Sequence, residues 1–336
     1  MKRACLVMVF VISAAFALPV YADQDAAETL KAVVKIRAIV PTDARTARSL
    51  GTEREGSGVV IDSNGHVLTI GYLIVEAETI QVTGPEGKPI NASFVGYDHN
   101  SGFGLLRTEK PLDIAPMKLG QSADVTVGAP ILVASHQGAD SVQSARVVSR
   151  SEFAGYWEYL LEDAIFTTPP HPDFGGAALI GPGGRLVGIG SLYTQVTIPE
   201  FGTIPCNMFV PIDLFKPILA DLIATGRSRR PPRPWLGLHA GGVHGRVFVL
   251  QITSGGPAEE AGLRPGDIIL AVDKETVTGL ADFLRKVWAL GSAGVNVPLR
   301  ILQGTEIRNI TVRSADRYRF LQTTPKKIKS IPGLKL

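Results

Sequence analysis

From residue 57 to residue 210 the chain alternates short β-branched runs with glycine and polar turns, and this texture excludes most folds before any single residue is weighed. The runs fall at 59–61, 66–70, 80–82, 93–96, 130–134, 146–148 and 186–189. β-Branched side chains lose little freedom in an extended backbone, while glycine takes the positive-φ corners that join strands. Runs at this spacing, almost without helical periodicity, predict a β-barrel or sandwich. Asn64-Gly65 and Gly181-Pro182-Gly183-Gly184 read as hairpin turns. One helix is predicted after Asp213, with that residue as N-cap, an apolar face of Leu214, Ile218, Leu219, Leu222 and Ile223, and Gly226 as its stop.

Charged, proline-rich residues 226–233 follow and read as a solvated interdomain linker. Mixed α/β texture runs over 234–316, and the tail 317–336 is expected to be mobile. At the other end, Lys2 and Arg3 precede an apolar run from Ala4 to Val20, and Val20-Tyr21-Ala22 has the small-residue pattern of a leader cleavage site. The expected division is leader 1–22, first domain 23–225, linker 226–233, second domain 234–316 and tail 317–336. The leader predicts export, with cleavage after Ala22 and no stable membrane span afterwards; periplasm, as against secretion, follows only with the family resemblance given below.

The formal net charge of +3, part of which leaves with the leader, gives no reason to expect a nucleic-acid partner. Of the two cysteines, Cys5 lies in the leader, so Cys206 has no partner for a disulfide and reads as a small buried hydrophobe. No two histidines stand at ligand spacing on one element, so neither a metal nor another cofactor is expected.

Several segments together resemble the HtrA/Deg family of trypsin-like proteases carrying a PDZ domain. Gly56-Ser57-Gly58-Val59-Val60-Ile61-Asp62 is similar to that family's opening strand, and Leu119-Gly120-Gln121-Ser122 to the start of its second barrel. Gly175-Gly176-Ala177, with the run from Gly183 to Ile189, resembles the strand pair after its nucleophile. Trp235-Leu236-Gly237-Leu238 resembles its carboxylate-binding loop, and the stretch from Ser254 to Asp273 its PDZ helix-turn-strand segment. The resemblance implies an all-β double barrel of the chymotrypsin type followed by a small α/β PDZ domain.

Carried over position by position, the resemblance places Tyr72 at the family's catalytic histidine, Gly102 at its aspartate and Phe174 at its serine. Pro172 falls at its oxyanion donor. Serine attacks only when a positioned base takes its proton, and proline has no N–H to give an oxyanion. The expectation is therefore a chain without enzymatic activity, unlabelled by a fluorophosphonate probe. Its remaining work would be binding peptide or protein C-termini, as scaffold, chaperone or regulator of active HtrA-type proteases. Two alternatives stand beside it. One is a serine endopeptidase with relocated residues, drawn from His66, His99, His171, Asp98, Asp163, Asp173, Ser101 and Ser135. The other is a structural subunit, since relatives form trimers. The peptide-binding residues expected are Trp235, Leu236, Gly237 and Leu238, with Leu284 and Val287 from a helix over about 280–290.

Overall fold

A computed structural model describes residues 27–136, 141–199 and 201–321. The leader 1–22 and the tail beyond 321 lie outside the described residues. The first six strands are β1 (Val33–Ile39), β2 (Glu53–Val60), β3 (His66–Ile70), β4 (Thr79–Thr83), β5 (Pro89–Tyr97) and β6 (Phe103–Thr108). They close into a barrel in the order β1-β2-β3-β6-β5-β4. All five residues of β3 are buried, which explains why its run is continuously apolar but for His66 and Thr69. β1 lies at the barrel surface and alternates instead, with Ile36 and Ala38 inward and Arg37 and Ile39 outward.

The second barrel comprises β7 (Pro130–Ala134), β8 (Val142–Gly155), β9 (Tyr159–Thr168), β10 (Ala178–Gly181), β11 (Arg185–Ile198) and β12 (Gly202–Pro211). Its order is β10-β11-β12-β9-β8-β7, again closed. One apolar cluster joins the barrels, with Leu68 and Phe103 from the first and Phe166 and Met208 from the second. A second cluster, with Val133, Ile165, Leu179 and Phe209, lies within the second barrel. Cys206 is fully buried, as its small apolar character predicts, and burial pushes its thiol up to about 11.

The helix expected from Asp213 is broken into two single 3-10 turns, Ile212–Leu214 and Lys216–Ile218, before α1 (Leu219–Thr225). Pro217 cannot donate to a preceding turn. Asp213 is not a cap; its carboxylate accepts from Ser122 Oγ (2.8 Å), from the Ala123 N–H (2.9 Å) and from Lys216 Nζ (2.7 Å). Gly226 does end the helix, left-handed at φ 76°, and its carbonyl accepts the Tyr97 N–H at 3.0 Å.

The following stretch is less solvated than its composition predicts. Ser228 is buried, Arg227 reaches Asp316 at 3.2 Å, and the Arg233 guanidinium lies 4.0 Å from the centre of the Trp288 ring. A planar cation over an indole gains from both burial and the ring's quadrupole. The third sheet contains β13 (Leu238–Val243), β14 (Arg246–Ile252), β15 (Ile268–Val272), β16 (Glu275–Thr276), β17 (Asn296–Gln303) and β18 (Glu306–Arg313), in the order β13-β14-β15-β17-β18 with β16 beside β15. α2 (Pro257–Glu260) and α3 (Leu280–Ala289) cover it. Immediately after, Arg317–Phe320 forms a 3-10 turn held by Asp316, and Phe320 packs on Trp235 at 4.4 Å between ring centres.

Candidate functional site

Two places merit chemical scrutiny: the cleft between the barrels and the mouth of the third sheet. In the cleft, Tyr72 is fixed by a hydrogen bond from its hydroxyl to the Ser191 carbonyl (2.9 Å), and burial raises its pKa further above the usual phenol value. A neutral phenol that already donates to a carbonyl has no basic lone pair aimed at a nucleophile. Gly102 is left-handed at φ 82°, and a Cβ built there would lie 3.3 Å from the Tyr159 hydroxyl and 3.4 Å from Ile70. The space into which an acid would project is thus already filled.

Phe174 lies in a tight corner whose carbonyls are taken up by backbone hydrogen bonds. Its carbonyl accepts the Ala177 N–H (3.0 Å), and the neighbouring Gly175 carbonyl accepts from Ser57 (2.8 Å). Gly176, at φ 75°, passes so close to β2 that a Cβ would stand 1.9 Å from the Ser57 carbonyl oxygen. Pro172 is exposed, and the next N–H, of Asp173, points at His171 Nδ1 (3.0 Å).

The other candidates disperse. His66 pairs with Asp62 at 2.7 Å across its own hairpin. His99 lies between Tyr97, met edge-on, and a tilted Tyr318, where burial, aided by Arg317, holds it well below the usual imidazole range. Asp98 accepts from the N–H and hydroxyl of Ser101 (2.8 and 2.7 Å), and Asp163 pairs with Arg150 on the surface. Ser135 bonds to Ser141, which lies 3.3 Å from His171 Nε2. Because Nδ1 of His171 already accepts a proton donor, its neutral ring carries hydrogen on Nε2 and cannot take a proton from Ser141.

One pair escaped the sequence reading. Ser57 Oγ accepts the His136 N–H (3.1 Å), so its own hydrogen is directed to His136 Nδ1 at 3.1 Å. Burial, with Lys35, lowers the His136 pKa and keeps the ring neutral, while the charges of Asp173 and Glu55 act the other way. A serine O–H aimed at a neutral imidazole, with a carboxylate near enough to favour its protonation, is the arrangement general-base activation needs. The available signal was slight: Ser57 lies inside β2 and His136 two residues after β7, and only the fold brings them together.

At the third sheet the geometry is sharper. The N–H groups of Leu236, Gly237 and Leu238 converge on one carboxylate, at 2.9, 2.8 and 3.1 Å. Gly237 (φ 76°) makes this convergence possible. The carboxylate belongs to Glu158, in the turn between β8 and β9. Trp235 is buried and shapes the loop from behind, touching Phe320 and not the groove. Leu284 and Val287 are both buried, in one cluster with Leu160 of β9, so the wall they were expected to present is covered by the barrel.

Two closed six-stranded barrels followed by such a sheet define a trypsin-like peptidase domain joined to a PDZ domain. The trypsin-like peptidase domain family matches residues 56–189 and the PDZ domain family residues 234–313. Over both domains the chain is similar to HtrA- and DegP-type proteases. A probable periplasmic serine endoprotease, DegP-like, of Pseudomonas fluorescens is 26% identical over 283 residues, covering 80% of this chain and 58% of that protein. The chloroplastic Protease Do-like 1 of Arabidopsis thaliana is 28% identical over 279 residues, covering 76% and 62%. The chain thus spans less than two thirds of these relatives. Among solved structures, the HtrA-type protease AlgW with a decapeptide superposes with a TM-score of 0.52 at 20% identity, over 86% of this chain and 98% of that one. The serine endoprotease of Yersinia pestis gives 0.53 at 22%, over 89% and 99%. The expectation of a chain without enzymatic activity is corrected by these relatives, which are named serine endoproteases and point to a protease. No helix among the described residues is long and apolar enough to cross a membrane.

Proposed function

We propose that the chain is an exported, periplasmic serine endopeptidase of the HtrA type, delivered by the leader 1–22, that captures protein C-termini in its PDZ domain. The observation that carries this reading is the row of three N–H groups at Leu236, Gly237 and Leu238 gripping a single carboxylate. A peptide terminus presents the same two oxygens, and β13 beside the loop offers an edge for an added strand.

Tyr72, Gly102 and Phe174, taken as the family's triad positions, supply neither base, orienter nor nucleophile, and Pro172 supplies no oxyanion donor. Hydrolysis is therefore assigned to Ser57 and His136. The Ser57 proton passes to His136 Nδ1 as Oγ attacks the scissile carbonyl. The imidazolium then returns that proton to the leaving amine, and water, deprotonated by the same ring, releases the acyl group. Ser57 is fully buried as the structure stands, so this chemistry requires the cleft to open around it.

A fluorophosphonate probe followed by peptide mass spectrometry tests the assignment. An adduct on Ser57 in the wild type, lost in Ser57→Ala and weakened in His136→Ala, is expected. A protein that stays unlabelled beside an active homologue contradicts it. Assembly as a homotrimer, or with active relatives, would be read by light scattering as a mass of about three chains or as a mixed complex.

A further inference from the structure

The cradle that would take a peptide terminus is occupied by the protein itself. Glu158 stands at the tip of the β8–β9 hairpin, left-handed at φ 58°, and its carboxylate is buried against the loop before β13. The mimicry extends beyond the carboxylate. Two residues earlier, the Tyr156 carbonyl accepts the Ala240 N–H of β13 at 2.8 Å, the bond an added strand would make. The Tyr156 ring meets His239 edge-on at 5.4 Å. Leu160 belongs to the apolar core of the PDZ domain, and Ala154 packs against that core. On the far wall, Arg285 of α3 pairs with both Glu152 and Glu162 on the two strands of the hairpin. Arg317 closes the end by donating to the Trp157 carbonyl at 2.9 Å.

We propose that the β8–β9 hairpin is an intramolecular ligand of the PDZ groove, with the Glu158 side chain in the place of a peptide C-terminus, so that an incoming terminus binds by displacing it. The proposal rests on the C-terminus reading above and adds its regulation. Because β8 and β9 are strands of the second barrel, capture of a peptide and release of a barrel hairpin are one exchange. A tethered competitor acts at an effective concentration of about millimolar, so it weakens apparent peptide affinity without blocking it.

The exchange separates into two measurements on the full chain. Hydrogen exchange reads the amides of Leu236, Gly237 and Leu238 in the absence of peptide. They should be protected in the wild type and exchange at least about tenfold faster in Glu158→Ala. Equal protection in both proteins would overturn the occupancy. Fluorescence anisotropy then reads a labelled hexapeptide ending in Ala-Val-Val with a free carboxylate. Binding should tighten about tenfold in Glu158→Ala and by a smaller factor in Arg285→Ala, whose exposed ion pairs only anchor the hairpin. Unchanged affinity in both variants would overturn the exchange. If the amides are released in Glu158→Ala yet neither protein takes the peptide, the C-terminus reading fails and the exchange falls with it, while Glu158 remains the occupant.

Discussion

The interbarrel cleft and the PDZ cradle differ in the material from which each is made. A peptidase cleft works through side chains: a nucleophile, a base and a charge that must each be the right residue in the right rotamer. The cradle is made of three backbone N–H groups, turned toward one point with the help of the left-handed φ of Gly237. Substitution therefore reaches the first kind of site more readily than the second. At the cleft, Tyr72, Gly102 and Phe174 are each held structurally, in a hydrogen bond to Ser191, a left-handed turn under Tyr159 and a tight corner. At the cradle the recognition geometry is intact down to a carboxylate in place.

That contrast can be broken at several points. The most disruptive substitution should be Gly176→Ala, where a Cβ would stand 1.9 Å from the Ser57 carbonyl and 2.7 Å from Thr69 Oγ1. Forcing the backbones apart at a left-handed position is expected to cost more than about 3 kcal/mol, read as a large fall in thermal midpoint. An unchanged midpoint would mean that the corner is not rigid. Gly237→Ala should spare the fold more but spoil the cradle. Its φ of 76° strains an L-residue, and a Cβ would meet the Trp235 ring at 3.2 Å. About a tenfold loss of affinity for a free-carboxylate peptide is expected by calorimetry.

Tyr72→Phe removes only the bond to Ser191 and leaves that buried carbonyl unpaired. A loss of about 1–3 kcal/mol in chemical denaturation is expected, with no change in peptide binding. Loss of binding there would merge the two sites that the comparison separates.

The smallest effect should be on pH. Burial pushes the Glu158 carboxyl from 4.5 up to about 7, against the pull of Arg317 and the loop N–H groups. A carboxyl whose pKa is raised by docking docks best when protonated, and docking weakens as pH climbs from its free value through 7. Arg230, Arg233, Asp98 and Asp316 line the same cavity. His99 and His239 have their pKa values lowered by burial and by Arg317, so their charging at acid pH opposes the trend. Peptide affinity is expected to rise several-fold between pH 5 and pH 8 in the wild type and to stay flat in Glu158→Gln. A rise that survives the substitution would assign the effect to another group.

The strands were legible in the sequence because their determinants are local. The run at 66–70 became β3 and that at 130–134 became β7, residue for residue. The helix after Asp213 misled because a good capping residue was read without its tertiary rivals, the Ser122 hydroxyl and the Ala123 N–H, 91 and 90 residues away. His99 was drawn in as a candidate for relocated chemistry; only the fold shows the Tyr318 ring tilted against it from the C-terminal turn. Ser57, His136 and Glu158 went unnoticed for the same reason. A serine in a strand, a histidine after one and a glutamate in a hairpin are commonplace in isolation, and their meaning lies in partners 79 or 78 positions away.

Recognition of a carboxylate by backbone is tested directly by calorimetric titration of Glu158→Ala with one peptide in two forms, free acid and C-terminal amide. The free acid should bind at least about tenfold more tightly, because the amide offers the three N–H groups no charged acceptor. Equal affinity for the two forms would contradict it.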